Sequence, residues 1–194
     1  MKETIKNLAK AFVGESQARN RYTFYAKIAK KEGYMQIAQL FEITAMNEKE
    51  HAKVLFELLN ELLDKEKIDL KELEIDAAVP TVLGSTEENL QAAIEGEHYE
   101  NTIMYPEFAK IAEEEGLQKI AIKLKAIGRA EIHHEERYTK LLKEVKAKTV
   151  FKKEKKYYWV CEKCGYVHEG TEPPKKCPVC AHSYNYFELK CEEY

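Results

Sequence analysis

Two segments of this 194-residue chain share one spacing, Glu48-Lys-Glu-His51 and Glu131-Ile-His-His134, with Glu three residues ahead of His in each. On a helix, positions i and i+3 lie on one face, so one carboxylate and one imidazole can reach the same metal ion. A single such spacing in a Glu-rich chain reads as an ordinary solvated helix face. Two of them, at matching places in an internal repeat, point to a dinuclear metal site inside a helical bundle. Gly14-Glu15 recurs as Gly96-Glu97, and Ala26-Lys-Ile-Ala-Lys-Lys-Glu-Gly33 recurs as Ala109-Lys-Ile-Ala-Glu-Glu-Glu-Gly116, each ahead of its Glu-x-x-His.

The second copy is longer by one residue: Glu15 to Tyr22 is seven residues, Glu97 to Tyr105 is eight. An added residue inside a helix is usually absorbed as a π-bulge. The bulge is expected to turn both Glu97 and Glu100 inward, bringing the inward acids to Glu15, Glu48, Glu97, Glu100 and Glu131. With His51 and His134 these side chains would occupy core positions, where bare carboxylates are costly unless cations or protons neutralise them. Oxygen and imidazole donors suit iron and manganese, and zinc as well.

A second set of ligands lies in the tail. Cys161-Glu-Lys-Cys164-Gly-Tyr and Cys177-Pro-Val-Cys180 form two knuckles, each able to place two thiolates on one ion in a tetrahedral site. The spacing alone leaves zinc and iron both open. Cys191 lies outside the knuckles and reads as a free surface thiol, and His168 and His182 read as surface residues. Tyr158, Trp159, Tyr166 and Phe187 are expected to form the aromatic core of a domain too small to fold without its metal.

Periodicity supplies the elements that must position these groups. A first helix is expected from about Glu3 to Lys31, ended by Gly33, and a second from about Met35 to Leu63, the two forming an antiparallel hairpin. Asp64 to Ser85, with Pro80 and Gly84, breaks the pattern and is long enough to be a crossover between two hairpins. A third helix should start near Thr86 with Ser85 as N-cap and close at Gly116, and a fourth should run from about Leu117 to Lys148. Residues 1–150 then make a helical bundle, and residues 151–194 a linker and the four-cysteine domain. The lysine-dense stretch from Lys143 to Lys156 reads as a frayed helix end and linker.

Composition narrows the function classes. With 31 Lys and Arg against 34 Asp and Glu, the net charge of −3 gives no nucleic-acid footprint. No stretch is long and apolar enough to span a bilayer, and Met1-Lys-Glu-Thr opens on polar residues, so a cytoplasmic protein without membrane association is expected. In that compartment cysteines are better read as metal ligands than as disulfides.

The chain resembles the rubrerythrins along nearly its whole length. The resemblance rests on Gly14-Glu-Ser-Gln-Ala-Arg-Asn-Arg-Tyr22, Glu48-Lys-Glu-His51, Gly96-Glu-His-Tyr-Glu100, Met104-Tyr-Pro106, Glu131-Ile-His-His134, Cys161-Glu-Lys-Cys-Gly-Tyr-Val-His-Glu-Gly170 and Cys177-Pro-Val-Cys-Ala-His182. It implies a mainly α chain, a ferritin-like four-helix bundle with a non-haem di-iron centre, followed by a small rubredoxin-like domain with one iron on Cys161, Cys164, Cys177 and Cys180. It further implies that Glu48 and Glu131 bridge the irons, that Glu15 binds one and Glu97 with His134 the other. On reduction the first iron would exchange Glu100 for His51, with Tyr22 and Tyr105 hydrogen-bonded nearby. The implied activity is a peroxidase reducing hydrogen peroxide, fed by rubredoxin or an NAD(P)H-linked flavoprotein reductase, in a head-to-tail homodimer. The alternatives are a ferritin-like ferroxidase that handles iron, and a zinc-ribbon interaction module on a structural bundle.

Overall fold

A computed structural model describes residues 2–191; Met1, on which the reading of the chain's opening partly rests, and residues 192–194 lie outside it. Five α-helices carry the bundle: α1 (Glu3–Lys31), α2 (Met35–Lys65), α3 (Thr86–Tyr99), α4 (Tyr105–Glu114) and α5 (Gln118–Ala147). A π-helical turn, Glu100–Met104, joins α3 to α4, so the expected third helix is one rod with the expected bulge in its middle. α1 and α2 form one hairpin, and the α3–α4 rod and α5 form the other. The crossover of residues 66–85 links them, and its Leu73 and Ile75 pack on the bundle core. Among the described residues no helix is long and apolar enough to cross a membrane.

The short turns follow from local chemistry. After α1 the chain enters Gly33 at φ +87°, with the Gly33 amide donating to the Lys30 carbonyl and the Tyr34 amide to Ala29. Gly116 repeats this after α4 at φ +75°, donating to Glu113 while Leu117 donates to Ala112. Both are left-handed caps that satisfy two otherwise orphaned carbonyls. α2 and α5 end the same way but on lysines, Lys67 at φ 56° and Lys148 at φ 57°. α2 therefore runs two residues beyond the expected Leu63.

At helix starts, Ser85 caps α3 in a reciprocal box with Glu88. Two further caps come from the opposite half. The Glu115 carboxylate accepts from the Glu3 and Thr4 amides at 2.7 and 3.1 Å, and the Glu32 carboxylate accepts from the Thr86 amide at 3.0 Å. Each half thus seals the first helix of the other.

The core divides around the acidic middle of the bundle. One cluster gathers Ile5, Leu8, Leu55, Leu59, Leu124 and Tyr105; the other gathers Tyr22, Tyr25, Ile37, Phe41, Leu90 and Tyr138. Burying a Leu or Phe side chain contributes about 1.5–3 kcal/mol, so these two clusters carry the stability that the polar layer between them does not.

The small domain is a three-stranded antiparallel sheet in the order β2-β1-β3, with β1 (Tyr157–Cys161) central, β2 (Val167–Gly170) and β3 (Phe187–Leu189). Its core holds Trp159, Phe187, Cys161 and Cys177, with Tyr166 partly buried against them. Tyr158 is 55 % exposed, contrary to expectation. The strand's period of two, which sends Trp159 and Cys161 inward, sends Tyr158 outward.

The linker is anchored rather than frayed. Thr149 and Lys153 bond the Glu144 carboxylate, the Lys153 amide donates to Thr171, and Phe151 lies between Tyr34 and Tyr184. These contacts, with Gln39 Nε2 donating to Glu162 at 2.7 Å, seat the small domain on the α1–α2 turn of its own bundle.

Candidate metal centres

Four helical segments send carboxylates into the gap between the two core clusters. Glu15 comes from α1, Glu48 from α2, Glu97 from α3 and Glu131 from α5, all with no exposed surface; Glu100, on the π turn, is 8 % exposed. In an unbroken helix Tyr105, eight residues after Glu97, would stand about 80° out of phase with it; the wider π turn at Glu100–Met104 takes up the extra residue, so that Glu97, Glu100 and Tyr105 are all buried.

The ligand atoms form two groups, Glu15, Glu48, His51 and Glu131, and Glu48, Glu97, Glu131 and His134, each within 4.8 Å of one another. Glu48 and Glu131 belong to both. His51 Nδ1 lies 2.9 Å from Glu48, 3.0 Å from Glu131 and 3.8 Å from Glu15. His134 Nδ1 lies 2.8 Å from Glu131, 3.2 Å from Glu48 and 3.4 Å from Glu97. Despite these distances, both Nδ1 atoms, both oxygens of Glu48 and Glu131, Glu15 Oε2 and Glu97 Oε2 are buried without an aligned hydrogen bond. They converge on common points rather than on one another. Separations near 3 Å are the edges of a coordination shell with metal–ligand bonds of about 2.1 Å, so the residues fit a pair of metal ions.

The remaining oxygens are pinned across the halves. Tyr22 of α1 donates to Glu97 Oε1 at 2.5 Å, and Tyr105 of α4 donates to Glu15 Oε1. Tyr105 is itself held by close packing, since a Cβ on Gly128 of α5 would stand 3.0 Å from the Tyr105 Cβ. Glu100 stands outside both ligand groups, and burial together with the charges of Glu15 and Glu97 holds its carboxyl well above the ordinary range.

Electrostatics follow from packing so many acids together. Burial pushes Glu15 and Glu97 up to about 8, opposed by His51 and His134 respectively and reinforced by the two shared carboxylates. For Glu131, burial is outweighed by His134 and His51, and its carboxyl is held below the usual value. Burial disfavours the charged imidazoles, but Glu131 and its neighbours prevail, raising His134 to about 12 and His51 far above its ordinary value. Such a cluster is stable only when positive charge is shared among its carboxylates, which two metal cations supply.

In the small domain, Cys161, Cys164, Cys177 and Cys180 converge as expected. Sγ of Cys161 lies 3.7 Å from Cys180, and Sγ of Cys164 lies 3.5 Å from Cys177. A tetrahedron with metal–sulfur bonds of about 2.3 Å has edges of nearly this length, and disulfides would be far shorter. Each knuckle turns on a residue with positive φ, Gly165 at 73° and Ala181 at 59°. Burial would raise the Cys177 thiol, but the amides of Cys180 and Val179 bring it down to about 7, the thiolate form a metal requires. Cys164 is exposed, and so is Cys191, apart from the cage. His182 is exposed as expected, yet its Nδ1 sits 3.3 Å from Cys180 Sγ, a contact that spacing did not indicate.

Comparison with known proteins agrees with this geometry. Residues 6–142 match the rubrerythrin family model, and residues 159–188 match that of the rubrerythrin rubredoxin-like domain. A protein of Methanocaldococcus jannaschii whose name assigns it to the rubrerythrins is 64 % identical over 195 residues, covering 100 % of this chain and 96 % of the relative. Rubrerythrin-1 of Clostridium acetobutylicum is 50 % identical over 192 residues, covering 99 % and 96 %. Among solved structures, a fully reduced, all-ferrous nigerythrin superposes with a TM-score of 0.63 at 34 % identity, covering 96 % of this chain and 86 % of that one. The match thus spans both sets of ligands: a di-iron carboxylate site in the bundle and a rubredoxin-like iron site in the tail.

Proposed function

The chain belongs to the rubrerythrin family, and from that premise we propose that it is a peroxidase, reducing hydrogen peroxide to two waters with two electrons and two protons. The observation that carries this reading is the pair of ligand groups sharing Glu48 and Glu131 in the same chain as a thiolate cage. Glu15, Glu48, His51, Glu97, Glu131 and His134 would hold two ferrous ions, which would supply the two electrons and Lewis acidity. The chain's own residues do the rest. Tyr22 and Tyr105 fix the outer carboxylates Glu97 and Glu15, so that the site keeps its shape as charge changes. Glu100, buried beside Glu15 and Glu97, holds a proton within the cluster and can release it to a departing oxygen. His51 stands among the ligands and Glu100 apart from them, so these are the two side chains that would alternate at one metal position. The π turn has no counterpart in α1, so only one position has this spare carboxylate.

Cys161, Cys164, Cys177 and Cys180 would hold an iron able to pass on single electrons from rubredoxin or an NAD(P)H-linked flavoprotein in the cytoplasm. The small domain rests against Gln39, nine residues before Glu48 on α2, which is about 13 Å along the helix axis before side chains are counted. A head-to-tail homodimer would shorten the route by setting one chain's cage against the other's bundle, and both subunits would gain it equally.

The test is anaerobic: the fully reduced protein receives one addition of peroxide while its visible spectrum is followed and its iron and zinc are counted. Rapid return of the red ferric–thiolate bands is expected. A colourless zinc-filled tail would overturn the reading. So would a bundle that turns over undiminished when residues after Phe151 are deleted, the behaviour of a ferroxidase.

A further inference from the structure

Gly14 and Gly96 occupy equivalent places in the two halves, each directly before a cluster carboxylate and each inside a helix. Glycine there costs roughly 0.5–1 kcal/mol relative to alanine. The backbone does not require it, since neither residue has positive φ. Packing does not require it either: a Cβ on Gly14 meets nothing within 4 Å, and one on Gly96 meets only Arg21 Nη2, at 4.0 Å. Gly128 shows what a sterically required helical glycine looks like, with Tyr105 pressed against it.

What Gly14 and Gly96 share is a cavity. A cleft of about 230 Å³ opens between α1, the α3–α4 rod and the crossover, with both glycines and Glu100 in its lining. Glu100 is more than nine-tenths buried and its side chain has no hydrogen bond or ion pair among the described residues, so its carboxyl group is unpartnered where it meets the cleft. Lys10 and Arg21 on the wall outnumber Asp76, its one ionised acid, a lining suited to a small polar ligand and not to a metal cation. At about 30 Å³ per water, the space takes a short file of waters, hydrogen peroxide or a small alkyl hydroperoxide.

We propose that this cleft is the entry route for hydroperoxide to the Glu100 side of the cluster, and that the absence of side chains at Gly14 and Gly96 keeps it open. The substrate class rests on the peroxidase reading; the route does not.

The experiment uses iron-loaded protein carrying Gly14→Val or, separately, Ala78→Trp, with Gly14→Ala as the small-side-chain control. Ala78 lines the cleft from the exposed crossover, away from the helices. Azide serves as a redox-silent probe, its entry followed by stopped-flow absorption at the oxidised site, and peroxide re-oxidation of the reduced protein is followed in parallel. Both entry rates are expected to fall at least tenfold in Gly14→Val and Ala78→Trp, with the azide Kd unchanged because a narrowed passage slows entry and exit alike. Tert-butyl hydroperoxide should be slowed more than hydrogen peroxide. Wild-type azide entry in both variants at full iron content would overturn the route. Slowed azide entry in a protein whose wild type does not react with peroxide would uphold the route and sink the peroxidase reading.

Discussion

Stripping the metal ions from the bundle and then raising the pH should destabilise it, and the cluster's electrostatics set the size of the effect. Glu15 and Glu97 are held at about 8, against 4.5 in an unfolded chain. Between those values the folded state keeps protons that the unfolded state has released, so the contribution of these two groups is full below about pH 4.5 and falls as pH rises towards 8. Each such proton contributes a slope of about 1.4 kcal/mol per pH unit. From pH 5 to 8 one group therefore costs about 4 kcal/mol. For a chain of this size, 1 kcal/mol shifts the midpoint by about 2–4 °C, giving roughly 8–16 °C from one carboxyl alone. His51 and His134, raised above their ordinary value of 6.5, act in the same direction: above that pH the unfolded chain sheds protons the folded chain retains. Glu131, held low, acts oppositely but only below pH 4.5, outside the window. The assay is thermal melting by circular dichroism of chelator-treated and iron-reloaded protein at pH 5, 6.5 and 8 and constant ionic strength. The stripped protein should lose at least about 8 °C across the series, and the loaded protein much less, because bound cations hold the carboxylates ionised at every pH tested. A stripped protein whose midpoint stays level or climbs from pH 5 to 8 would refute the buried-acid account of the core.

Other substitutions test separate parts of the structure. Gly128→Val, which forces a side chain into Tyr105, should cost about 1–3 kcal/mol by urea unfolding of the loaded protein. Tyr105→Phe removes the donor to Glu15 and should cost about 1.5–3 kcal/mol in the same measurement, with iron still bound. Cys177→Ser should abolish the ferric–thiolate absorption and donor-dependent turnover while leaving the bundle's helical circular dichroism and its own iron intact.

The sequence made legible what is local or repeated. Gly33 and Gly116 mark two helix ends because a left-handed cap favours glycine, and the mismatch between Glu15–Tyr22 and Glu97–Tyr105 marks the π turn. The left-handed lysines Lys67 and Lys148 carry no such mark, and α2 accordingly runs two residues beyond the end its periodicity indicates. Aromatic content places Tyr158 in the small core because it does not reveal strand phase; the register pairing Trp159 with His168 and Leu189 does. Helical spacing and the internal repeat point to the cluster's Glu15, Glu48, His51, Glu97, Glu131 and His134, which the fold brings together, whereas Glu100, expected among the ligands, stands outside both groups. The tyrosines that pin it were known only through the resemblance, since their hydrogen bonds span 75 and 90 residues and depend on how the hairpins meet. The seat of the small domain on the α1–α2 turn, through Gln39, Tyr34 and Phe151, was likewise invisible, being set by tertiary packing.

The caps exchanged between halves also bear on how the chain is made. The amides that open α1 await a carboxylate 112 residues further along, on Glu115. At a synthesis rate of about 5–20 residues per second, that partner is added roughly 6–22 s after the helix it completes. During that interval the first hairpin can form, yet its leading turn stays frayed and Glu15 and Glu48 have neither Glu97 nor Glu131 beside them. The nascent hairpin therefore holds three of the four ligands of one metal position, Glu15, Glu48 and His51, but only Glu48 of the other, so iron can be captured in full only once the last long helix has left the ribosome.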